Sequence, residues 1–563
     1  MAALRRILGD DPKSPIYIAN VMRRGYRLVA PVGPWVDTRT TAAASTDSAP
    51  TEDPCSETAA SGGPTDEIAT TLPRSTATTG STRSRYRRPS TALFAIGALA
   101  LKYFLSQRLW VANHSPASEG QITSATRGVS DNSVAVLPFV NISEDKSNEY
   151  FSDGLSEELI NLLTQIPDLR VPARTSSFYF KGKQATIADI AKALGVAHVI
   201  EGSVRKSGNT IRITAQLVRA DNGYHVWSET FDRQLDDIFK VQDEIAGSVV
   251  KALKVSLLEG AVPRATTSAN SEAYTLYLRG QSMSFSATSP ADDKRAIDYL
   301  QQSLKLDPRF APAWAALANT LASDFSTFGT PPFEEARAQA HEAADQALRL
   351  DPALPLSHVA MGRLLYQIDW NWDAAEAELK QAISLEPGNS EAHRLLAYIS
   401  ITRGRFDEAI ELLNRAIAFD PLQPWNYVVT GFATYRSGRL AAAETAYRKA
   451  LELAPSDGKV HYLLGSVFLV RGQSTAALGE MEQETDLGYR HAGRALALDA
   501  LGRRSDADRE LAVAEQTFAR EKSFWIALVY AARNDPDRAF TWLDRALRQH
   551  DDGLLWMTGD PHS

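Results

Sequence analysis

Five arginines, Arg5, Arg6, Arg23, Arg24 and Arg27, open the set of residues whose type and spacing could do chemistry. A guanidinium presents a planar fork of donors that suits phosphate oxygens, and such contacts position a protein without reading sequence. With Lys13, and against Asp10 and Asp11, they give residues 1–36 a net charge of +4 in a chain whose net charge is −8. A basic end on an acidic chain points to a polyanion at that end only. A second group is Phe151, Asp153, Glu157 and Glu158, which could line a site. Acidic residues early in a helix are also favourable for the helix dipole alone. A third group, His393, Tyr427 and His461, recurs at one register 34 residues apart. These are candidate partner contacts, and packing between repeats would explain them as well.

The familiar catalytic patterns do not occur. There is no Gly-rich phosphate loop ending in Lys and Ser or Thr, no Gly-x-Ser-x-Gly elbow and no His-Glu-x-x-His. The ten histidines are scattered without metal-ligand spacing, and the one cysteine, Cys55, leaves no internal disulfide to form. The expectation is therefore no enzyme, no catalytic residue, no metal and no cofactor.

The elements that would position these residues differ along the chain. Leu4, Ile7 and Leu8 share a helix face that Gly9-Asp-Asp-Pro12 ends. Tyr17–Val21 and Tyr26–Val29 then read as a hairpin with Arg23 and Arg24 at its tip. Residues 37–90 are rich in Thr, Ser, Ala, Pro and Gly and read as a disordered linker. Residues 91–111 are mostly apolar and follow Arg83, Arg85, Arg87 and Arg88. About 20 residues span the roughly 30 Å hydrocarbon layer, so the length suffices. Lys102 near the middle offsets most of the apolar gain, leaving a marginally favourable span with the N-terminal side in the cytoplasm. Residues 112–132 form a second spacer.

Residues 133–260 alternate strand and helix patterns. Val134–Phe139 and Leu169–Ala173 read as strands, and Phe151–Leu163 as a helix capped by Ser152 or Ser156. A helix over Ile187–Leu194 comes after them. Three strands come next, over His198–Arg205, Thr210–Arg219 and Tyr224–Phe231, and a closing helix runs over Phe239–Leu257. The pattern implies a mixed sheet with helices packed on it. From residue 271 to 550 a period near 34 is plain. Asp351-Pro, Glu386-Pro, Asp420-Pro and Ala454-Pro mark it, with Gly404, Gly438, Gly472 and Gly502 at interhelix turns. Ala375, Ala409, Ala443, Ala477 and Ala507 recur where two helices must touch.

Three parts of the chain resemble known families. Leu4–Asp11, with Tyr17-Ile18, Val21 and Arg24–Pro31, resembles the end of an OmpR/PhoB-type winged-helix domain, as in CadC-like membrane regulators. That likeness would place Arg5 and Arg6 at the tail of a recognition helix and Arg23 and Arg24 at the wing tip, on double-stranded DNA. The family's earlier elements would lie upstream of Met1, so a late start or a remnant is expected, and about 30 residues cannot bury a stable core. Ser133–Phe139, Tyr150–Gly154 and Glu201–Val204 resemble the TolB-like domain, which implies sensing of a ligand or partner. The 34-residue period resembles the tetratricopeptide repeat, with about eight helical hairpins and a groove for a protein or peptide.

The expected fold class is thus multidomain: a truncated winged-helix fragment, a single membrane helix, an α/β TolB-like domain and an all-α tetratricopeptide-repeat superhelix. The expected function is a membrane-anchored one-component transcriptional regulator of the bacterial inner membrane. Its N-terminus would be cytoplasmic and its C-terminal domains periplasmic, with a change in homodimerisation as one route for the signal. The alternative is a repeat scaffold whose winged-helix fragment is vestigial.

Overall fold

The computed structural model describes residues 18–21, 25–28, 130–166, 168–253, 270–287, 289–328 and 333–557. The chain divides into two units, residues 1–113 and 114–563. In the first, β1 (Ile18–Val21) pairs antiparallel with β2 (Gly25–Leu28), Ile18 opposite Leu28 and Val21 opposite Gly25. Arg27 stands on β2, opposite Ala19. Arg5, Arg6, Arg23 and Arg24, both spacers and the apolar segment 91–111 lie outside the described residues. Among the described residues no helix is long and apolar enough to cross a membrane.

The second unit begins with a five-stranded mixed sheet. Its path is β3 (Val134–Val136), β5 (His198–Ser207), β6 (Thr210–Arg219) and β7 (His225–Gln234), with β4 (Val140–Asn141) also pairing β5. β3 and β4 run parallel to β5, and the other pairs are antiparallel. Alternation along β6 puts Ile211, Ile213, Ala215 and Leu217 on one face, all buried. Against that face pack α1 (Glu149–Thr164) and α4 (Ile238–Leu253), through Leu155, Leu159, Leu163, Val241, Ile245 and Val249. Between them in the chain come the short α2 (Arg174–Phe178) and α3 (Ile187–Leu194). On the opposite face of the sheet α3 lays Ile190, Ala191 and Leu194 on Ala135 of β3 and Val199 of β5.

Two expectations change here. Leu169–Ala173 is not a strand among the described residues but makes one parallel bridge, Arg170 to Ser133. Pro172 has no N–H to extend a ladder, and the Ala173 N–H donates instead to Phe419 O at 2.8 Å. Helix α1 starts at Glu149, before both serines expected to cap it. Ser156 Oγ serves elsewhere, accepting from Phe139 N at 2.8 Å and donating to Ser152 O.

Among the described residues, the sheet is followed by sixteen α-helices in eight antiparallel pairs. The first four pairs are α5 (Ser271–Ser286) with α6 (Pro290–Leu306), α7 (Ala311–Phe328) with α8 (Phe333–Leu350), α9 (Pro355–Gln367) with α10 (Trp372–Leu385), and α11 (Ser390–Thr402) with α12 (Phe406–Phe419). The last four are α13 (Pro424–Arg436) with α14 (Leu440–Leu453), α15 (Val460–Val470) with α16 (Ser474–Gln483), α17 (Leu487–Ala500) with α18 (Arg504–Thr517), and α19 (Ser523–Ala532) with α20 (Pro536–Arg548). Ala375, Ala409, Ala443, Ala477 and Ala507 are fully buried, as close helix contact requires. Gly404, Gly438, Gly472 and Gly502 hold φ between 71° and 78° in the interhelix turns, where a Cβ would be strained. Beyond α20 a short 3₁₀ turn, Asp552–Trp556, closes the described chain.

The sheet and the repeats share one apolar core. Residues from α1, α4 and β6 are contiguous with Tyr274, Tyr277, Leu278 and Leu300 of the first hairpin and with Leu321 and Leu364 beyond it. A second core runs from Val359 to Leu555.

Candidate partner-binding groove

The acidic set on α1 is occupied. Lys181 Nζ lies 2.6 Å from both oxygens of Asp153 and 2.8 Å from Glu149. Arg174 Nε donates to Glu157 at 2.9 Å, and its guanidinium lies between the rings of Phe178 and Phe285, 4.1 and 4.0 Å from their centroids. Tyr277 OH donates to Glu158 at 3.3 Å. Burial raises the carboxyls of Asp153 and Glu157 despite their cations. It pushes Glu158, which also faces the Glu157 charge, up to about 8. Phe151 is core. Two of these contacts, Tyr277 on Glu158 and Arg174 on Phe285, join the α/β domain to the first hairpin. Gly154 marks how close that joint is: a Cβ there would sit 2.5 Å from Leu278 Cδ2.

A second joint lies far along the array. Asp420 accepts from Ser176 N at 3.0 Å and also from the Ser176 hydroxyl, while Arg170 donates to Ala418 O at 2.7 Å. Leu422 N donates to Ser176 Oγ at 2.9 Å. Desolvation at this site pushes the Asp420 carboxyl up to about 6.

His393, Tyr427 and His461 sit early in α11, α13 and α15 and turn into the repeats. His393 Nε2 meets Pro387 O at 3.1 Å, and Tyr427 OH donates to Pro421 O at 2.8 Å. His461 Nδ1 lies 2.8 Å from Glu480, as His358 and His491 lie 2.7 and 2.6 Å from Glu378 and Glu510. The shared register ties the start of a first helix either to the proline carbonyl six residues earlier or to its own second helix. The structure does not bring the three side chains together.

Five residues further along the same helices stand Tyr398 and Phe432, and four beyond those, Thr402 and Arg436. First helices of stacked hairpins line the inner surface of such an array. Here that surface holds the end of the chain itself. The indole of Trp556 meets Tyr398 and Phe432 edge-on, at centroid distances of 4.9 and 4.6 Å. Thr402 Oγ1 donates to Leu555 O at 3.1 Å, and Arg436 donates to Trp556 O. Lys459 Nζ stands over the rings of Trp525, Tyr489 and Trp556 at 5.1, 5.5 and 5.6 Å. Desolvation lowers its ammonium pKa, with Asp552 the largest opposing influence. Asp551 is buried, accepts from Phe524 N and Gly553 N at 2.9 Å each, and is pushed up to about 6. His550 stacks on Phe333 at 3.8 Å. The second period-34 pairs, Tyr398/Phe432 and Thr402/Arg436, are the sequence signal for this groove. Among the described residues no group of three or more His, Cys, Asp or Glu side chains could hold a metal ion.

Residues 371–426 and 433–487 match the family described as tetratricopeptide repeat. The array contains tetratricopeptide repeats over these residues. Residues 130–248 match the HilA/YgeH-like transcriptional regulator, second domain. A Rhizobium meliloti (strain 1021) protein named "Putative adenylate cyclase 3" is 38% identical over 250 residues, 44% of this chain and 42% of that protein. The cellulose synthase operon protein C of Pseudomonas fluorescens (strain SBW25) is 30% identical over 144 residues, 24% of this chain and 11% of that protein. The chain thus spans less than half the length of either relative. Among solved structures, PilW, a widely conserved type IV pilus biogenesis factor, aligns with 38% of this chain and 93% of its own, at 19% identity and a TM-score of 0.32.

Proposed function

We propose that this chain is a repeat-based interaction scaffold that holds a short segment of a partner protein in the groove lined by Tyr398, Thr402, Phe432 and Arg436. The observation that carries the reading is that Arg436 and Thr402, on successive first helices, both turn donors to main-chain carbonyl oxygens of the bound segment, the Thr402 hydroxyl sharing its one proton between Leu555 O and Tyr398 O. Donors of that kind recognise a peptide backbone, and the flanking aromatic rings recognise a side chain. The α/β domain, fixed to the array at two joints, is the part through which occupancy would be transmitted.

The test is a photo-crosslinking amino acid at Trp425, near the groove on α13, compared with the same group at Glu411 on α12, both in the full chain. The scaffold reading expects a discrete adduct from position 425 that Phe432→Glu abolishes. Equal, unspecific labelling from both positions would refute it.

A second reading has its own support in the match of residues 130–248 to a regulator domain and in the basic segment 1–36. In it the scaffold is the sensory part of a transcriptional regulator, tethered to the bacterial inner membrane by residues 91–111. Binding to duplex DNA should then weaken steeply with salt, by a log–log slope of about 0.9 per phosphate neutralised. Binding that ignores salt, or none, leaves the scaffold alone. A reporter fused after Ser130 that is active only in the cytoplasm would remove the periplasmic placement.

A further inference from the structure

The end of the chain behaves as a ligand rather than as a ninth repeat element. Helix α20 completes the eighth hairpin at Arg548. Beyond Arg548 the chain does not continue the helix pairing. His550 takes φ 52° and turns the chain back. Its ring reaches Phe333 of the second hairpin and Trp370, 5.3 Å away, at the end of the first helix of the third. Leu555 and Trp556 then reach the first helices of the fourth and fifth hairpins. Seven residues thus touch hairpins two, three, four, five and eight, a path no neighbouring repeat could follow.

The contacts have the composition of peptide recognition. The array supplies two donors to main-chain carbonyls, an aromatic slot for one indole, and a helix N-terminus, Phe524 N, for one carboxylate. Leu555 is buried, and Gly553 lies so close to the Phe524 ring that a side chain there would have no room. The fit is incomplete at two atoms. His550 Nδ1 and the indole Nε1 of Trp556 are buried and have no hydrogen-bond partner. An unmade hydrogen bond on a buried donor weakens an occupant relative to one that makes it.

We propose that His550–Trp556 is a built-in occupant of the repeat groove, and that the external partner is a short peptide of the same chemistry that takes the same 3₁₀ turn: a carboxylate residue, then a small residue, then a leucine next to an aromatic residue. The inference rests on the scaffold reading above and adds to it both the ligand class and the control. Tethering holds the tail at a high effective concentration. A free peptide therefore competes against a groove that is open only part of the time, and its apparent affinity falls by the open fraction.

The experiment uses the full chain, a fluorescent peptide of residues 549–557, and the same peptide carrying Leu555→Ala and Trp556→Ala. Wild type is compared with the Leu555→Ala/Trp556→Ala chain. The opened chain should bind the native-sequence peptide at least about tenfold more tightly than wild type does, and should ignore the altered peptide. Adding Phe432→Ala to the opened chain should abolish binding. Equal affinity in both chains, or none in either, overturns the proposal. Hydrogen exchange on the wild-type chain guards against a variant that fails to fold. The Gly553 and Leu554 amides should exchange through an opening that leaves α11 and α13 protected, and exchange only on global unfolding overturns the proposal. If the peptide fails while the crosslinker at position 425 still captures a partner that Phe432→Glu abolishes, the tail inference falls and the scaffold reading stands.

Discussion

Replacing Gly154 with alanine should destabilise the wild-type chain and stabilise the Leu278→Ala variant. Two terms of opposite sign meet at this position. Gly154 lies inside α1, where alanine is favoured over glycine by about 1 kcal/mol. The added methyl, however, would sit 2.5, 2.8 and 2.9 Å from the Cδ2, Cδ1 and Cγ atoms of Leu278. Carbon atoms in ordinary contact stand about 3.5–4.0 Å apart, so one side must move by about 1 Å. Leu278 is fully buried on α5 and has little room to swing. Overpacking of that kind costs roughly 1–3 kcal/mol, so the net loss is about 1 kcal/mol. Leu278→Ala alone should cost about 2–5 kcal/mol. In that background the methyl enters the vacated space and the propensity gain of about 1 kcal/mol is left. The coupling is then about 2 kcal/mol, within the range of roughly 0.5–3 for residues in contact. Urea unfolding of the four proteins, followed by circular dichroism, measures it. A shift of the same sign in both backgrounds, or coupling below about 0.5 kcal/mol, would refute the close approach of α1 and α5.

Two further perturbations probe the same joints. Arg174→Ala strands the buried Glu157 carboxylate and should cost roughly 3–5 kcal/mol, while Arg174→Met with Glu157→Leu should recover most of it; thermal melts of the three chains decide this, and a double variant as weak as Arg174→Ala would contradict it. Asp420, raised from 3.8 to about 6, keeps its proton in the folded chain between about pH 4 and 6, where the unfolded chain has lost it. Stability should therefore fall as pH rises through that window, by an amount on the order of 3 kcal/mol, and Asp420→Asn should remove the slope; parallel slopes for wild type and variant would count against a buried Asp420.

The repeats were legible because their constraint is local and recurs. A fully buried alanine in the third to seventh hairpins, a positive-φ glycine in the fourth to seventh and a closing proline after the first to fifth each recur at one phase. Ile187–Leu194 was legible to the residue because Thr186 accepts from Asp189 N at its start and Gly195 takes the left-handed conformation at its end. The joints were not, since nothing local distinguishes Ser176 from any other serine until Asp420 stands beside it. The same holds for α1. Its acidic residues suit a helix start in the sequence, and only the packing of α5 and Arg174 turns them into ties. In the array the eye falls on histidines at one phase, whereas the inner surface is set five residues later. The tail carries no period at all, so only its contacts identify it.

The bond between Ser176 and Asp420 spans 244 positions. A solenoid ordinarily holds only neighbour contacts and can grow or fray one unit at a time. This one contains a long loop that must close. The N-terminal sheet leaves the ribosome first, and the joint can form only after the fourth hairpin has been made. Folding of the sheet therefore precedes a ring closure that fixes the pitch of hairpins one to four, and the segment after α20 closes a second ring from hairpin eight back to that base.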